Sequence, residues 1–254
     1  MKTAVILHGI AKYWYRSLNS IYRYFDINNT DVFIHMWHMG DEWVKKLNSG
    51  NSSDIVFSPH AYVDYRDLSQ DEIQRYYQPK KYLVEDINQF NNHFNKLRDE
   101  LVKECTDGIS ESHSRNNSLI SMYYGLYKSE QLRRQYEIEN NFKYDVVVKM
   151  RFDSNVLDEH GNFDNEFANH LIVTPNVLNI PIGFDYKDGD NPAINNNFWI
   201  GDSDTTYVAS QVYLNMLSIA KQMKIYASET FFGQHLINNN IDSKRIKTFV
   251  GING

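Results

Sequence analysis

The chain has 254 residues, 42% hydrophobic and 23% charged, a balance that belongs to an ordinary globular protein and excludes collagenous, coiled-coil and disordered classes. At roughly 100–200 residues per domain, that length is one large domain or two small ones. Its 26 basic and 32 acidic residues give a formal charge of −6 with no basic block, which argues against a nucleic-acid partner and leaves room only for a local cationic pocket around one small phosphorylated ligand.

Cys105 is the single cysteine, so an intramolecular disulfide and a thiolate zinc cluster are both excluded. The apolar run Ala4–Leu7 ends at His8-Gly9, too short for a signal peptide. No stretch approaches the ~18 apolar residues of a membrane span. These features predict a cytoplasmic chain without a membrane span.

The predicted elements begin with Thr3-Ala-Val-Ile-Leu-His8, a run apolar enough to be buried on both faces and therefore a central strand. Residues 12–25 place Leu18, Ile21, Tyr22 and Phe25 at helical spacing. Asp31-Val-Phe-Ile-His-Met-Trp37 is a second strand, which the short crossover predicts to pair in parallel with the first. Short strands are predicted at 55–57 and 82–85, and Ser69-Gln-Asp-Glu72 reads as a capping box. Residues 88–105 and 115–140 carry helical apolar spacing, and Tyr144-Asp-Val-Val-Val-Lys-Met150 is the clearest strand. A loop rich in Asp, Asn and Gly covers 154–170, and a second polar loop covers 185–197. Phe198-Trp-Ile-Gly201 predicts a strand, and Asp202 an N-cap. One helix then carries Val208, Val212, Met216 and Ile219 on a stripe, and a last helix spans about 228–239. A single α/β domain with a mixed sheet follows.

The phosphate-loop, dinucleotide, zincin and nucleophile-elbow signatures are all missing from the sequence. The acidic loop Asp185-Tyr-Lys-Asp-Gly-Asp190 fails as an EF-hand, because Phe184 and Tyr186 fall on ligand positions. The exit of the Tyr144–Met150 strand is what remains. Residues two apart in an extended chain point the same way, so Arg151 and Asp153 project together where ligands of open α/β sheets bind. Asp153 is a candidate hard ligand for a divalent cation and Arg151 a candidate diphosphate clamp. A salt bridge at a strand end is the structural alternative.

Five segments now stand in order: Ala4–Gly9, Asp31–Trp37, Tyr144-Asp-Val-Val-Val-Lys-Met-Arg-Phe-Asp153, Asn196-Asn-Phe-Trp-Ile-Gly201 and Glu229-Thr-Phe-Phe-Gly-Gln-His-Leu236. Together they resemble nucleotide-sugar glycosyltransferases of GT-A type from bacterial surface-polysaccharide clusters and from large viruses and phages, with Arg-x-Asp in place of Asp-x-Asp. The resemblance implies a Rossmann-like, mostly parallel central sheet flanked by helices. It implies a nucleoside-diphosphate sugar as donor and a glycan or other hydroxyl compound as acceptor, with residues 1–153 as the nucleotide-sugar half and 154–254 as the acceptor half. His8, Gly9, Lys12, His35, Trp37, Arg151, Asp153, Asn196 and Asn197 would then bind the donor, and Asp153 would hold Mn²⁺ or Mg²⁺. For Trp37, packing at a half-buried strand end is the alternative.

Relatives often carry Asp-Gln where this chain has Asn196-Asn197, and an amide cannot serve as a base. For transfer with inversion, Glu229 is the candidate acceptor of the hydroxyl proton; its alternative role is a first-turn acid complementing a helix dipole. Asp185, Asp188 and Asp190 form a second candidate group, alternatively a solvated loop. A different class of function also follows from the Asn pair, namely a catalytically inactive relative kept as a carbohydrate- or partner-binding module.

Overall fold

A computed structural model describes residues 1–11, 13–40, 67–105, 117–158, 160–183 and 192–251. The order of elements is β1 (Thr3–Gly9), α1 (Tyr15–Tyr24), β2 (Thr30–His38), α2 (Gln70–Tyr77), β3 (Lys81–Asp86), α3 (Ile87–Glu104), α4 (Ser118–Asn140) and β4 (Val146–Arg151). Then come β5 (Asn155–Leu157), a 3-10 turn (Phe167–Leu171), β6 (Val177–Pro181), β7 (Trp199–Gly201), α5 (Ser203–Ala209), α6 (Val212–Met223), α7 (Ser228–Asn238), β8 (Asp242–Ile246) and β9 (Phe249–Gly251).

Among the described residues, seven strands form one mixed sheet in the order β3-β2-β1-β4-β7-β6-β8, and β5 pairs with β9 in a separate antiparallel ribbon. β1 is parallel to β2 and β4, as β2 is to β3 and β6 to β8, while β7 runs antiparallel to β4 and β6. The expected class, a mostly parallel sheet flanked by helices, is therefore what the chain adopts. Side-chain alternation divides the core. Ala4, Ile6, Phe33, Trp37, Val147 and Trp199 pack under α3, α4, α6 and α7. Val5, Leu7, Val32, Ile34, Val146 and Val148 face α1, α2 and the 3-10 turn.

Local signals act as their chemistry requires. Ser69 accepts from the Glu72 N–H while Glu72 reaches back to the Ser69 N–H, closing the capping box of α2. Asp202 accepts from the N–H groups of Asp204 and Thr205 and starts α5. Two expectations change. The stripe from Val208 to Ile219 is divided between two helices, α5 ending at Ala209 and α6 starting at Val212. The loop at 154–170 contains β5, and the 3-10 turn Phe167–Leu171 buries Phe167 completely. The short strand expected at 55–57 lies outside the described residues. Among the described residues no helix is long and apolar enough to cross a membrane.

Candidate functional site

The chain builds outward from β1 to β2 and β3, then returns to place β4 on the other side of β1. Open α/β sheets bind ligands at such a reversal, outside the carboxyl ends of the strands. Here His8 on β1 stands in register with His35 on β2 and with Arg151 on β4. The pleat that sends Ala4 and Ile6 toward α4 sends His8 the same way, as it does His35 beyond Phe33, and Lys149 and Arg151 beyond Val147.

Arg151 and Asp153 do meet. The guanidinium donates Nε–H to Oδ1 and Nη2–H to Oδ2, both at 2.8 Å, a two-pronged charge-assisted pair. A third bond runs from Nη1 to Asn197 Oδ1 at 3.3 Å. The Arg151 side chain is 32% exposed and that of Asp153 4%, so the carboxylate backs a guanidinium that faces outward. Behind them Lys149 is buried, donating from Nζ to the carbonyls of Asn196 and, at 2.9 Å, Asn197, with the Trp199 ring 4.6 Å away. Burial and then Arg151 push the Lys149 ammonium well below its ordinary value, with Asp153 opposing.

The described residues do not form a cage for a divalent cation. Both Asp153 oxygens are engaged by Arg151, and no group of three or more His, Cys, Asp or Glu among the described residues converges as a ligand set. The partly exposed Arg151 guanidinium, with Lys149 buried behind it, is the cationic group that the strand ends present to a diphosphate.

His8 and His35 lie deeper. His35 Nε2 is 2.8 Å from Glu85 Oε2 on β3, and the Tyr124 hydroxyl donates to Glu85 Oε1 at 3.3 Å. Neither ring nitrogen of His8, nor Nδ1 of His35, has a hydrogen-bond partner among the described residues. Gly9 follows at the half-buried strand end with φ +109, a left-handed backbone that favours glycine. Trp37 takes its alternative role. It is 1% exposed, stacked on Tyr124 and edge-on to Phe90 and Phe94, with Nε1–H donating to the Ser121 carbonyl at 3.2 Å. Lys12, Asp185, Asp188 and Asp190 lie outside the described residues.

The Asn pair is built into the wall. Asn196 Nδ2 donates to the Tyr123 hydroxyl at 2.9 Å, and that hydroxyl donates to the Ser228 carbonyl at 2.6 Å. Asn197 serves Arg151 as above. Glu229 stands in the first turn of α7, which has no side-chain cap, and this is the dipole-compensating position. Its Oε2 accepts from Ser228 Oγ at 2.6 Å, and its backbone carbonyl accepts from the Ile194 N–H. Segment 194–197 thus ties Glu229 to Lys149 and Arg151 across the end of β4.

No protein-family model matches the sequence, and no curated protein is similar to it. Solved structures resemble it only loosely. Mouse xyloside xylosyltransferase 1 is 9% identical with a TM-score of 0.42, over 96% of this chain and 84% of that one. The glycosyltransferase GlyE of Streptococcus pneumoniae TIGR4 is 11% identical with a TM-score of 0.39, over 96% of this chain and 45% of that one. Likeness this loose carries no information about activity.

Lys149, Glu85, Tyr124 and Gly125 belong to this cluster and were not expected from the sequence. Two of them left a trace: Lys149 is the only charge in the apolar run Val146–Met150, and Gly125 is the only glycine in a 23-residue helix. A Cβ at Gly125 would meet His35 Nδ1 at 2.9 Å and the Gly9 nitrogen at 3.7 Å, so glycine is what lets α4 cross over the histidines.

Trp37→Phe is expected to cost about 1–3 kcal/mol, from a lost hydrogen bond and an underfilled core, while changing donor affinity less than about twofold. Urea unfolding and calorimetry check both; an affinity loss at unchanged stability would return Trp37 to the binding surface. Acid is expected to destabilise the fold. Burial holds His8, His35 and His235 below the ordinary histidine value, His8 also through Lys149 and Arg151. Unfolding releases them, so below about pH 6.5 the unfolded chain binds protons the folded chain refuses, and stability is lost as the pH drops. Thermal melts should show Tm dropping from about pH 6.5 to about pH 5, before ordinary carboxylates titrate; a flat Tm across that window would contradict neutral buried imidazoles.

Proposed function

We propose that this chain is a glycosyltransferase that moves a sugar from a nucleoside-diphosphate donor to a hydroxyl group of a glycan or other acceptor. The observation that carries the reading is the Arg151–Asp153 fork at the switch point between β1 and β4, a cation held rigid by one buried carboxylate and backed by Lys149. A planar guanidinium so fixed matches two phosphate oxygens. Residues up to Asp153 would bind the donor, and the wall from residue 154 onward would shape the acceptor side.

In the transfer, the bond from the anomeric carbon to the diphosphate oxygen breaks and the acceptor oxygen bonds to that carbon. Arg151 would stabilise the charge that develops on the departing diphosphate, an interaction stronger in the transition state than before it. Asp153 and Asn197 would keep the guanidinium aimed. We assign Glu229 to receive the acceptor's proton if the transfer inverts configuration. The Mn²⁺ or Mg²⁺ that the resemblance implies would have to displace Arg151 from Asp153, and no step is assigned to it.

The test is release of nucleoside diphosphate from a panel of uridine, guanosine, cytidine, adenosine and thymidine diphosphate sugars, with mixed oligosaccharide acceptors, in Mn²⁺ and in chelator. Release from one donor class, dependent on acceptor, is the expected result. Neither release nor binding across the panel would overturn it. Tight binding without release would favour the inactive binding module, which the amides at Asn196 and Asn197 motivate.

A further inference from the structure

Lys149 is buried in an otherwise apolar stretch of β4, where an ammonium is costly unless its hydrogens are matched. An ammonium carries three donors and no acceptor. Two of them go to the carbonyls of Asn196 and Asn197, and the Trp199 ring, 4.6 Å away, faces the same charge. Asp153, the carboxylate whose charge favours the ammonium, spends both oxygens on Arg151. Lys149 therefore spends its hydrogen bonds on the backbone of another segment.

Successive carbonyls of an extended chain point in opposite directions, so two of them meeting one ammonium requires a bent backbone. The chain does bend at Asn197, where Asn195 Oδ1 also accepts from the Asn197 N–H at 2.9 Å. Two side chains leave this bend toward the two halves of the site. Asn197 Oδ1 accepts from Arg151 Nη1, while Asn196 Nδ2 donates to Tyr123, whose hydroxyl holds the Ser228 carbonyl beside Glu229. The upstream end of the segment is seated on the same helix. Ile194 N–H donates to the Glu229 carbonyl, and a Cβ at Gly233 would collide with the Pro192 carbonyl. Packing alone does not ask for a charge at position 149, since methionine is apolar and of similar length. What the ammonium adds is its grip on two carbonyls at once.

We propose that Lys149 is a positioning residue for the transfer: it gathers the Asn196 and Asn197 carbonyls into the bend from which Asn197 aims Arg151 and Asn196 steadies the first turn of α7. The proposal rests on the reading of Arg151 as the diphosphate clamp, and adds the residue that sets the clamp and the Glu229 turn in one frame.

The test compares the full chain as wild type, Lys149→Met, Asn197→Ala and the double variant, by calorimetric titration with the uridine, guanosine, cytidine and adenosine diphosphates. Lys149→Met is expected to weaken diphosphate binding about tenfold in the wild-type background and less than about twofold in the Asn197→Ala background, because both changes release the same guanidinium. Equal losses in the two backgrounds, or no loss in either, would leave Lys149 a support of the fold alone and overturn the proposal while Arg151 remains the clamp. With the nucleotide sugars of the base that binds, kcat at saturating donor should also fall about tenfold or more in Lys149→Met, since the bend serves the acceptor side as well. An unchanged kcat overturns the shared frame. A readout that does not depend on the lysine variant folding is the Lys149 Nζ ¹⁵N resonance in wild type and in Asn197→Ala. Saturating diphosphate should move it in wild type, and by less than about half as much once the Asn197 link is cut. No movement in wild type, or equal movement in both proteins, overturns the proposal. Failure of all four diphosphates to bind wild type overturns it together with the reading on which it rests.

Discussion

Replacing Arg133 by methionine is expected to lower stability by about 3–5 kcal/mol, the range for stripping one partner from a buried ion network. Its guanidinium is wholly buried between Glu130 and Glu137 on its own helix and Ser203 at the start of α5. Glu137 also accepts from the Tyr144 N–H at 2.8 Å and from Ser203 Oγ, so one cation secures α4, the entry to β4 and the entry to α5. Burial already holds the Glu130 carboxyl above its ordinary value in spite of Arg133, and removing that cation leaves Arg134 as the remaining charge that opposes it. At about 2–4 °C per kcal/mol for a chain of this size, Tm should fall by on the order of 10 °C. Adding Glu130→Gln should recover part of the loss, because a neutral amide is cheaper to bury than a carboxylate. A loss under about 1 kcal/mol would place the network in water instead of the core.

The second large effect is on transfer. Asp153→Asn is expected to reduce kcat/KM for the donor by about 100-fold or more, the scale on which a preorganised charged contact acts. The amide keeps the shape but gives Arg151 one acceptor in place of two, and the half-exposed guanidinium is then free to swing toward water. Arg151→Lys should be nearly as damaging, since an ammonium keeps the charge and loses the fork. Circular dichroism and steady-state kinetics on both variants check this. Activity within about threefold of wild type in Asp153→Asn would reduce the pair to the strand-end salt bridge that its sequence pattern equally allows.

How much of this was legible depends on what each residue's role is made of. β1, β2 and β4 announce themselves because strands buried on both faces must be apolar throughout. The capping box of α2 and the Asp202 cap were readable because their chemistry is local. β8 was not: Asp242–Arg245 is an exposed polar edge and only Ile246 is buried, which is how natural sheets protect an edge and which erases the hydrophobic signal. β5 and β9 are three residues each and exist only through one another. The break between α5 and α6 was hidden because both helices turn the same apolar stripe to the core. At the site, the spacing of Arg151 and Asp153 was enough to pair them. The parts played by Lys149, Glu85 and Gly125 depend on partners 47, 50 and more residues away, and no local pattern encodes those.

On the proposed reading, the ends of β1 and β4 bind a nucleoside diphosphate through Arg151. Calorimetric titration of wild type and Arg151→Lys with the uridine, guanosine, cytidine and adenosine diphosphates tests it most directly. One-site saturable binding is predicted for at least one of the four, weakened about tenfold or more in the variant. Binding of equal strength in both proteins, or of none of the four by wild type, would contradict it.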